Sequence, residues 1–424
     1  MTASLALSVL PFVGMIFSIA VLPLVAPHFW ERRFPLVALF WALCYLVPTV
    51  LHHGIGAGAT LLVHVAADEY IPFIVLVASL YVASSGLVLE GRLAGTPLRS
   101  TGLLLLGTLL ASWIGTTGAA MVLVRPLLRG IAARKHRAHT VFFFILLVAN
   151  AGGALTPVGD PPLFMGYLQG VPFFWTLRHA GPLALVAGCL LAFHFLTDFV
   201  LFRREGRPLP PTQDLRVRGG VHLAWIAAIV VTVAGSGALA FLGSWVPWVR
   251  DALLVLFAWG AWNTSSQELR RENDFRWHPI VEVAVLFAGI FVTLSPLVEM
   301  LREGVDGPLG GLVRLAGSPL SAYFVTGALS SVLDNAPTYL VFFHAAGGHE
   351  ALPHLLSEGL QLEAIGLGAV FFGAVTYIGN APNLLVRSIA EEEGVPMPGF
   401  FAYLGWTILV LLPVLALAGW IFLS

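Results

Sequence analysis

The sequence predicts an all-α polytopic integral membrane protein built from two inverted-topology repeats, each with a re-entrant helical hairpin and an unwound transmembrane helix. Three observations lead there. Hydrophobic residues make up 58% of the 424 and charged residues only 11%, with a mean hydropathy of +0.87. That balance belongs to chains that cross a bilayer and excludes water-soluble domains. A pair of unusual motifs occurs twice: Gly115-Thr116-Thr117 with Thr156-Pro157-Val158-Gly159-Asp160, then Asp334-Asn335-Ala336 with Thr376-Tyr377-Ile378-Gly379-Asn380. Asn335 follows Thr116 by 219 residues and Asn380 follows Asp160 by 220, so two separated elements have been copied as one unit. Finally, each motif interrupts an apolar run. Lipid tolerates such interruptions only where the backbone faces protein or a water-filled cavity, and matched interruptions in two halves mark a secondary transporter with its site between the repeats.

The elements follow in order. The first apolar run, 4–26, has no positive residue before it and is too long for a signal-peptide core, so it reads as a retained span. With the run 35–52 it forms an N-terminal scaffold, 1–70. Repeat one, 71–205, holds a span at 71–89, the hairpin 100–130, the broken helix 140–168 and a span at 179–202. The stretch 203–219, with Pro208, Pro210, Pro211 and several arginines, reads as a cytoplasmic linker. Spans at 220–241 and 246–262 complete the connecting unit 206–277. Repeat two, 278–424, repeats the plan: a span at 278–301, the hairpin 318–346, the broken helix 360–393 and a last span at 398–423. Each hairpin reads as two half-length arms, too short to cross a hydrocarbon layer of about 30 Å separately.

Treating both hairpins as re-entrant places sixteen of the 22 Lys and Arg residues on one side, among them Arg32, Arg33, Arg134, Lys135, Arg203, Arg204, Arg270 and Arg271. Only Arg178, Arg250, Arg302 and Arg314 fall on the other, while Arg125 and Arg387 stay within membrane segments. By the positive-inside rule the first side is cytoplasmic. Both termini are then outside a multi-pass protein of the cell inner membrane or plasma membrane, and the two hairpins enter from opposite faces. The His344, His349, His354 loop becomes external and reads as solvated. The lipid bilayer is the implied partner; the net charge of −1 comes with no basic stripe for nucleic acid. Cys44 and Cys189 sit in apolar runs and imply neither disulfide nor metal.

Proline removes the amide that would serve the carbonyl four residues earlier. Pro157, Pro161 and Pro162 thereby release the carbonyls of Gly153, Pro157 and Val158, Pro382 releases Ile378, and Pro337 releases Leu333. Freed carbonyls can coordinate cations. The side chains at the breaks are oxygen donors: Thr116, Thr117, Thr156, Asp160, Asp334, Asn335, Thr376, Asn380 and Asn383. Such a set suits a hard cation, and no Cys or His joins it. Burial disfavours an ionised carboxylate and a second one nearby disfavours it further, so Na+ and protons compete at Asp160 and Asp334. Neither a resident cofactor nor an enzymatic activity is expected, and no Gly-x-x-x-x-Gly-Lys-[Ser/Thr] sequence supports ATP-driven pumping.

Other membrane ionisables are weaker candidates. Glu282 belongs to a proton route or snorkels, and Arg125 and Arg387 contact an anion or snorkel. His194 and Asp198, four apart, share a helix face as a pair near the cytoplasmic end of their span. His52, His53, His64, Asp68 and Glu69 flank spans, where interfacial solvation accounts for them.

At Ser331-Val-Leu-Asp-Asn-Ala-Pro337, Gly379-Asn-Ala-Pro-Asn383 and Trp277-His-Pro-Ile-Val-Glu-Val-Ala-Val-Leu-Phe-Ala-Gly-Ile-Phe291, the chain resembles the ion transporter superfamily. That superfamily includes NhaD-type sodium/proton antiporters, citrate and divalent-anion symporters and arsenite permeases, and CitMHS-like citrate transporters are among the nearest in pattern. The resemblance implies hairpin tips and unwound segments meeting at one site. It also implies a homodimer whose transport domain slides like an elevator against a scaffold. Divalent-anion symporters carry Ser-Asn-Thr at both tips, whereas these tips read Gly-Thr-Thr and Asp-Asn-Ala. An acid there repels a di- or tricarboxylate and moves the expectation to sodium (or lithium)/proton antiport, although the first hairpin carries no acid. The alternative is cation-coupled transport of an organic anion such as citrate, or of an oxyanion such as arsenite. An intramembrane aspartyl protease using Asp160 and Asp334 rests on Gly159-Asp160 alone, and prolines crowding Asp160 would constrain a general base.

Overall fold

The computed structural model describes residues 7–92, 95–207 and 212–424; Pro208, Pro210 and Pro211 of the expected linker lie outside them. The described chain is nearly all helical. Helix α1 spans Leu10–Val25 and α2 Pro27–His64, and a π-helical turn at Val65–Tyr70 leads into α3, Ile71–Ser85. The expected spans 35–52 and 71–89 are therefore joined by helix rather than by a loop. The intervening Ile55, Leu61, Leu62 and Val63 are apolar enough to continue it, and the direction change is confined to Gly54, whose φ of +87° is open to a residue without Cβ.

Helix α4, Pro97–Ile114, stops at Gly115 (φ +79°) and α5, Thr116–Gly130, starts at the next residue, the two packing side by side. Thr96 caps α4 by accepting from the Arg99 amide at 3.4 Å, a contact of about 1 kcal/mol. The half-length expectation fails for this first arm. Its 18 residues, at 1.5 Å each, approach the hydrocarbon thickness, because the leucine run through Leu103–Leu106 carries no breaker. Helix α6, Ala138–Leu147, gives way to a 3-10 turn at Ala151–Leu155 and an irregular Thr156–Asp160 before α7, Pro161–Leu168; α8 is Ala180–Arg204.

After a strand, helices α9 (Val221–Ala238) and α10 (Val246–Thr264) lead to α11, His278–Arg302. The second hairpin is α12, Pro319–Ser330, and α13, Asn335–Ala345, whose 12 and 11 residues are half-length as expected. Helix α14, Leu360–Phe372, enters at 89° to the short helix before it; an irregular 373–380 follows, then α15, Ala381–Glu392, and α16, Phe400–Leu423. Among the described residues, seven helical stretches are long and apolar enough to cross a membrane, or eight if the bent pair counts as one span.

The all-α expectation needs one correction. Strand β1, Val88–Arg92, pairs antiparallel with β2, Gln213–Arg218, in the register Val88↔Arg218 and Leu89↔Val217, with an irregularity between Glu90 and Arg92. Part of the presumed linker is thus a ribbon. Arg218 fastens it to Glu90, Glu268 (3.3 Å) and Glu272 (3.4 Å).

The two halves interlock. Helix α13 of the second hairpin packs on α7 of the first broken helix, and α5 of the first hairpin packs on α15 of the second. Gly166 makes the first contact possible, since a Cβ there would lie 2.3 Å from the Tyr339 hydroxyl. The second hairpin therefore delivers Asn335 at its tip to the break of the first half, at Asp160, whereas Thr116 at the first tip bonds to the break of its own half, at Asp160 and Gly159 O.

Candidate functional site

The breaks are built alike. In the first, the Thr156 hydroxyl donates to Ser112 O, and the Ser112 hydroxyl donates to Gly152 O at 2.5 Å. In the second, the Thr376 hydroxyl donates to Ser331 O at 2.6 Å. Gly159 lies against Gly153 O and Gly379 against Gly373 O so closely that a Cβ would come within 2.3 and 2.7 Å. Both irregular stretches end on an extended residue, Asp160 (φ −144°, ψ 143°) and Asn380 (φ −153°, ψ 135°), before a helix with proline in its first turn. Proline suits that place because its missing amide needs no partner there.

Asp160 is the centre of the arrangement and only 1% exposed. Its Oδ1 accepts from Thr116 Oγ1 at 3.0 Å and Asn380 Nδ2 at 3.1 Å, and its Oδ2 accepts from Asn335 Nδ2 at 2.5 Å. All four interrupted elements thus converge on one carboxylate. Of its roughly four lone-pair sites, three are used. Asp334 is half-buried and accepts at Oδ1 from the Ala336 amide at 3.3 Å, capping α13. Asn335 Oδ1, fully buried, has no donor among the described residues. Acceptors therefore exceed donors.

A cavity of about 380 Å³ opens onto this centre. Asp160, Asp334, Thr116, Thr117, Val158, Ile378 and Glu282 line it, and among the described residues no Lys, Arg or His does. Glu282 accepts from Trp30 Nε1 at 3.0 Å and lies 3.8 Å from His278.

Other expected residues lie elsewhere. Gly153 packs behind Asp160, within 2.8 Å of its Cβ from an ideal Cβ position, and Leu333 is half-buried before the second tip. Thr156 and Thr376 fasten backbone, and Asn383 Nδ2 donates to Gly373 O and Thr376 O behind the cavity. Arg125 donates to Asn273 O at 3.1 Å and approaches Asp274 to 3.8 Å, away from the cavity lining. Arg387 pairs with Glu391 and covers the Tyr377 ring. His194 and Asp198 do not form the expected pair: His194 meets Thr101 and Thr140, while Asp198 holds Arg134 and His139.

Sequence reasoning missed three residues. Asn150, fully buried, donates to Asn383 Oδ1 at 2.6 Å and accepts from Asn380 Nδ2 at 3.2 Å, joining the two breaks. The available signal was one carboxamide in an otherwise apolar run, Val141–Ala149, because a buried amide needs partners. His179 Nδ1 lies 2.8 Å from Ala154 O and Thr176 Oγ1 2.8 Å from Leu155 O. These carbonyls, rather than those counted from the prolines, receive side-chain donors.

Buried polar breaks brought together among apolar spans, with a cavity leading to them, define a polytopic membrane transport protein. The chain matches over residues 2–423 the family described as "Putative citrate transport", and it belongs to that family. It is similar to uncharacterized transporters of Mycobacterium bovis and Mycobacterium tuberculosis, each 28% identical over 329 residues and covering 72% of both chains. It is also similar to an uncharacterized transporter of Synechocystis, 25% identical over 61% of this chain and 62% of that one. The protein is a multi-pass membrane transporter and not an enzyme.

Proposed function

We propose that the protein exchanges sodium or lithium ions for protons, with cation and protons alternating at Asp160 and Asp334. The observation that carries the reading is the cavity, which among the described residues presents three carboxylates and no cationic side chain. A di- or tricarboxylate entering alone would meet repulsion, whereas a hard cation meets oxygen ligands. Asn335 Oδ1, without a donor, supports the same choice. Thr116, Thr117, Asn335 and Asn380 complete the shell, with Thr156, Thr376 and Asn383 holding the backbone that carries it. The NhaD-type antiporters of the ion transporter superfamily are the pattern followed here.

In this reading 71–205 and 278–424 are oppositely inserted repeats with re-entrant hairpins, 1–70 forms the scaffold, 206–277 is the cytoplasmic linker with its connecting spans, and both termini are external. The working unit is a homodimer in the inner or plasma membrane that moves the site by an elevator motion. Asn335 and Thr116 at the tips would travel with Asp160, since they are bonded to it.

A second reading is favoured by the family description: cation-coupled transport of citrate or a related anion. The same acids would then bind the coupling cation, whose charge would offset the anion's. Proteoliposomes carrying an internal pH dye separate the two. A sodium-triggered rise in internal pH without citrate supports exchange; no proton movement, together with sodium- or proton-dependent uptake of labelled citrate, overturns it.

A further inference from the structure

A second cavity, of about 290 Å³, lies at the far end of both broken elements. Lys135, His136, Arg137 and His139, just before and at the start of α6, form one wall; Val395 and Pro396, after α15, with Leu201 of α8 and Trp406 of α16, form the other. The polar wall carries cations and the opposite wall is apolar. No acid lines it.

The two acids bonded to this basic segment, Glu205 and Asp198, are already engaged. Glu205 accepts from Arg134 Nε at 3.0 Å and from the amides of Lys135 (3.2 Å) and His136 (2.8 Å). Burial works against that carboxylate, yet these donors hold it below its ordinary range, so it stays charged and occupied. Asp198 is held by Arg134 at 2.7 Å and by His139 at 2.9 Å. Arg137 donates to a neutral carbonyl, Gly394 O, at 2.7 Å. Lys135 and His136 are exposed, and neither side chain has an ion-pair partner among the described residues.

The geometry points to a binding site for the phosphate of an anionic phospholipid, with the headgroup on Lys135, His136 and Arg137 and an acyl chain against Leu201 and Trp406. A free phosphate offers the same charge to the cations but nothing to the apolar wall. The wall ends where two spanning helices end: α8 finishes at Arg204, three residues beyond Leu201, and α16 starts at Phe400, six before Trp406. Basic pockets between membrane helices at that depth suit lipid headgroups. A bound lipid would also join α6, which leads to Asn150 and the first break, to the chain leaving α15, which follows the second; Arg137 and Gly394 already touch across that gap. This site does not depend on which ion or anion the protein carries.

The test is a thermal-shift titration of the purified full-length protein in detergent with phosphatidylglycerol, phosphatidylcholine or inorganic phosphate. Phosphatidylglycerol is expected to raise the melting temperature saturably, while phosphatidylcholine and inorganic phosphate are not. The double variant Lys135→Gln/Arg137→Gln should bind phosphatidylglycerol roughly 30-fold more weakly, as two surface cations near a headgroup predict. Arg203→Gln/Arg204→Gln, on the same face but outside the cavity, should bind as wild type, and Lys135→Arg/Arg137→Lys, which keeps both charges, should retain binding. Equal weakening in the two Gln variants, loss in the charge-keeping variant, or equal stabilisation by inorganic phosphate would overturn the assignment.

Discussion

The two copies of the broken motif share a backbone plan and differ in where the acid sits. Copy one places its carboxylate in the unwound segment, Asp160, and hydroxyls at the tip, Thr116 and Thr117; copy two places its carboxylate at the tip, Asp334, and an amide in the unwound segment, Asn380. Threonine fasteners, glycines resting on carbonyls and the extended residue before a proline-bearing helix recur in both. The environments diverge. Asp160 is buried and accepts three side-chain hydrogen bonds, whereas Asp334 is half-buried and accepts from the backbone amides at the start of its own helix. On one backbone plan the two breaks thus carry the acid at different places, giving one held carboxylate and one open to the cavity.

The largest expected effect breaks the comparison at its centre. Asp160→Asn should lower sodium-dependent proton flux in proteoliposomes by more than about 100-fold, beyond what loss of an outer partner to a metal ligand costs. The protein should still elute as a folded species. The exchange variant Asp160→Asn/Asn380→Asp moves the acid across one hydrogen bond of 3.1 Å and should recover part of the flux; a double variant as inactive as the single would show that the two break positions are not equivalent.

Asp334→Asn should cost less, about tenfold, and chiefly as a raised half-saturating sodium concentration, because this acid is open and has fewer fixed partners. A loss as deep as that of Asp160→Asn would erase the proposed difference between the held and open acids. Asn150→Ala should leave Asn383 Oδ1 without its donor and destabilise the protein by about 1–3 kcal/mol, read as a lower melting temperature. No change would mean that the link between the copies is not structural.

The smallest effects compare the fasteners directly. Thr156→Val and Thr376→Val each remove one hydroxyl bonded to a carbonyl, and each should cost about 1 kcal/mol. Unequal melting temperatures would reveal that one break is stiffer than the other.

Much of this was legible in the linear order of residues. Proline, glycine and buried acids inside apolar runs are locally expensive, so their positions announce the breaks, and the recurrence after 219 and 220 residues announces the copies. Asp160, Asp334, Thr116, Asn335 and Asn380 were nameable for that reason. The ribbon β1–β2 was not, because its strands lie more than a hundred residues apart and neither is apolar enough to stand out. The first hairpin arm ends at Gly115 as its sequence suggests, and it is longer than expected because Thr96 and Pro97 start the helix ahead of residue 100.

By itself, the sequence determined that this chain lives in a bilayer, that its helices break in matched places, and that hard oxygen ligands gather at the breaks. Each of these is set by the cost of putting particular residues in lipid, which is local. Only the tertiary structure decided that four elements meet on one carboxylate, that Asn150 ties the breaks together, and that Arg125 turns away to Asn273. Those choices are made by hydrogen bonds between residues distant in sequence, and no local energy records them.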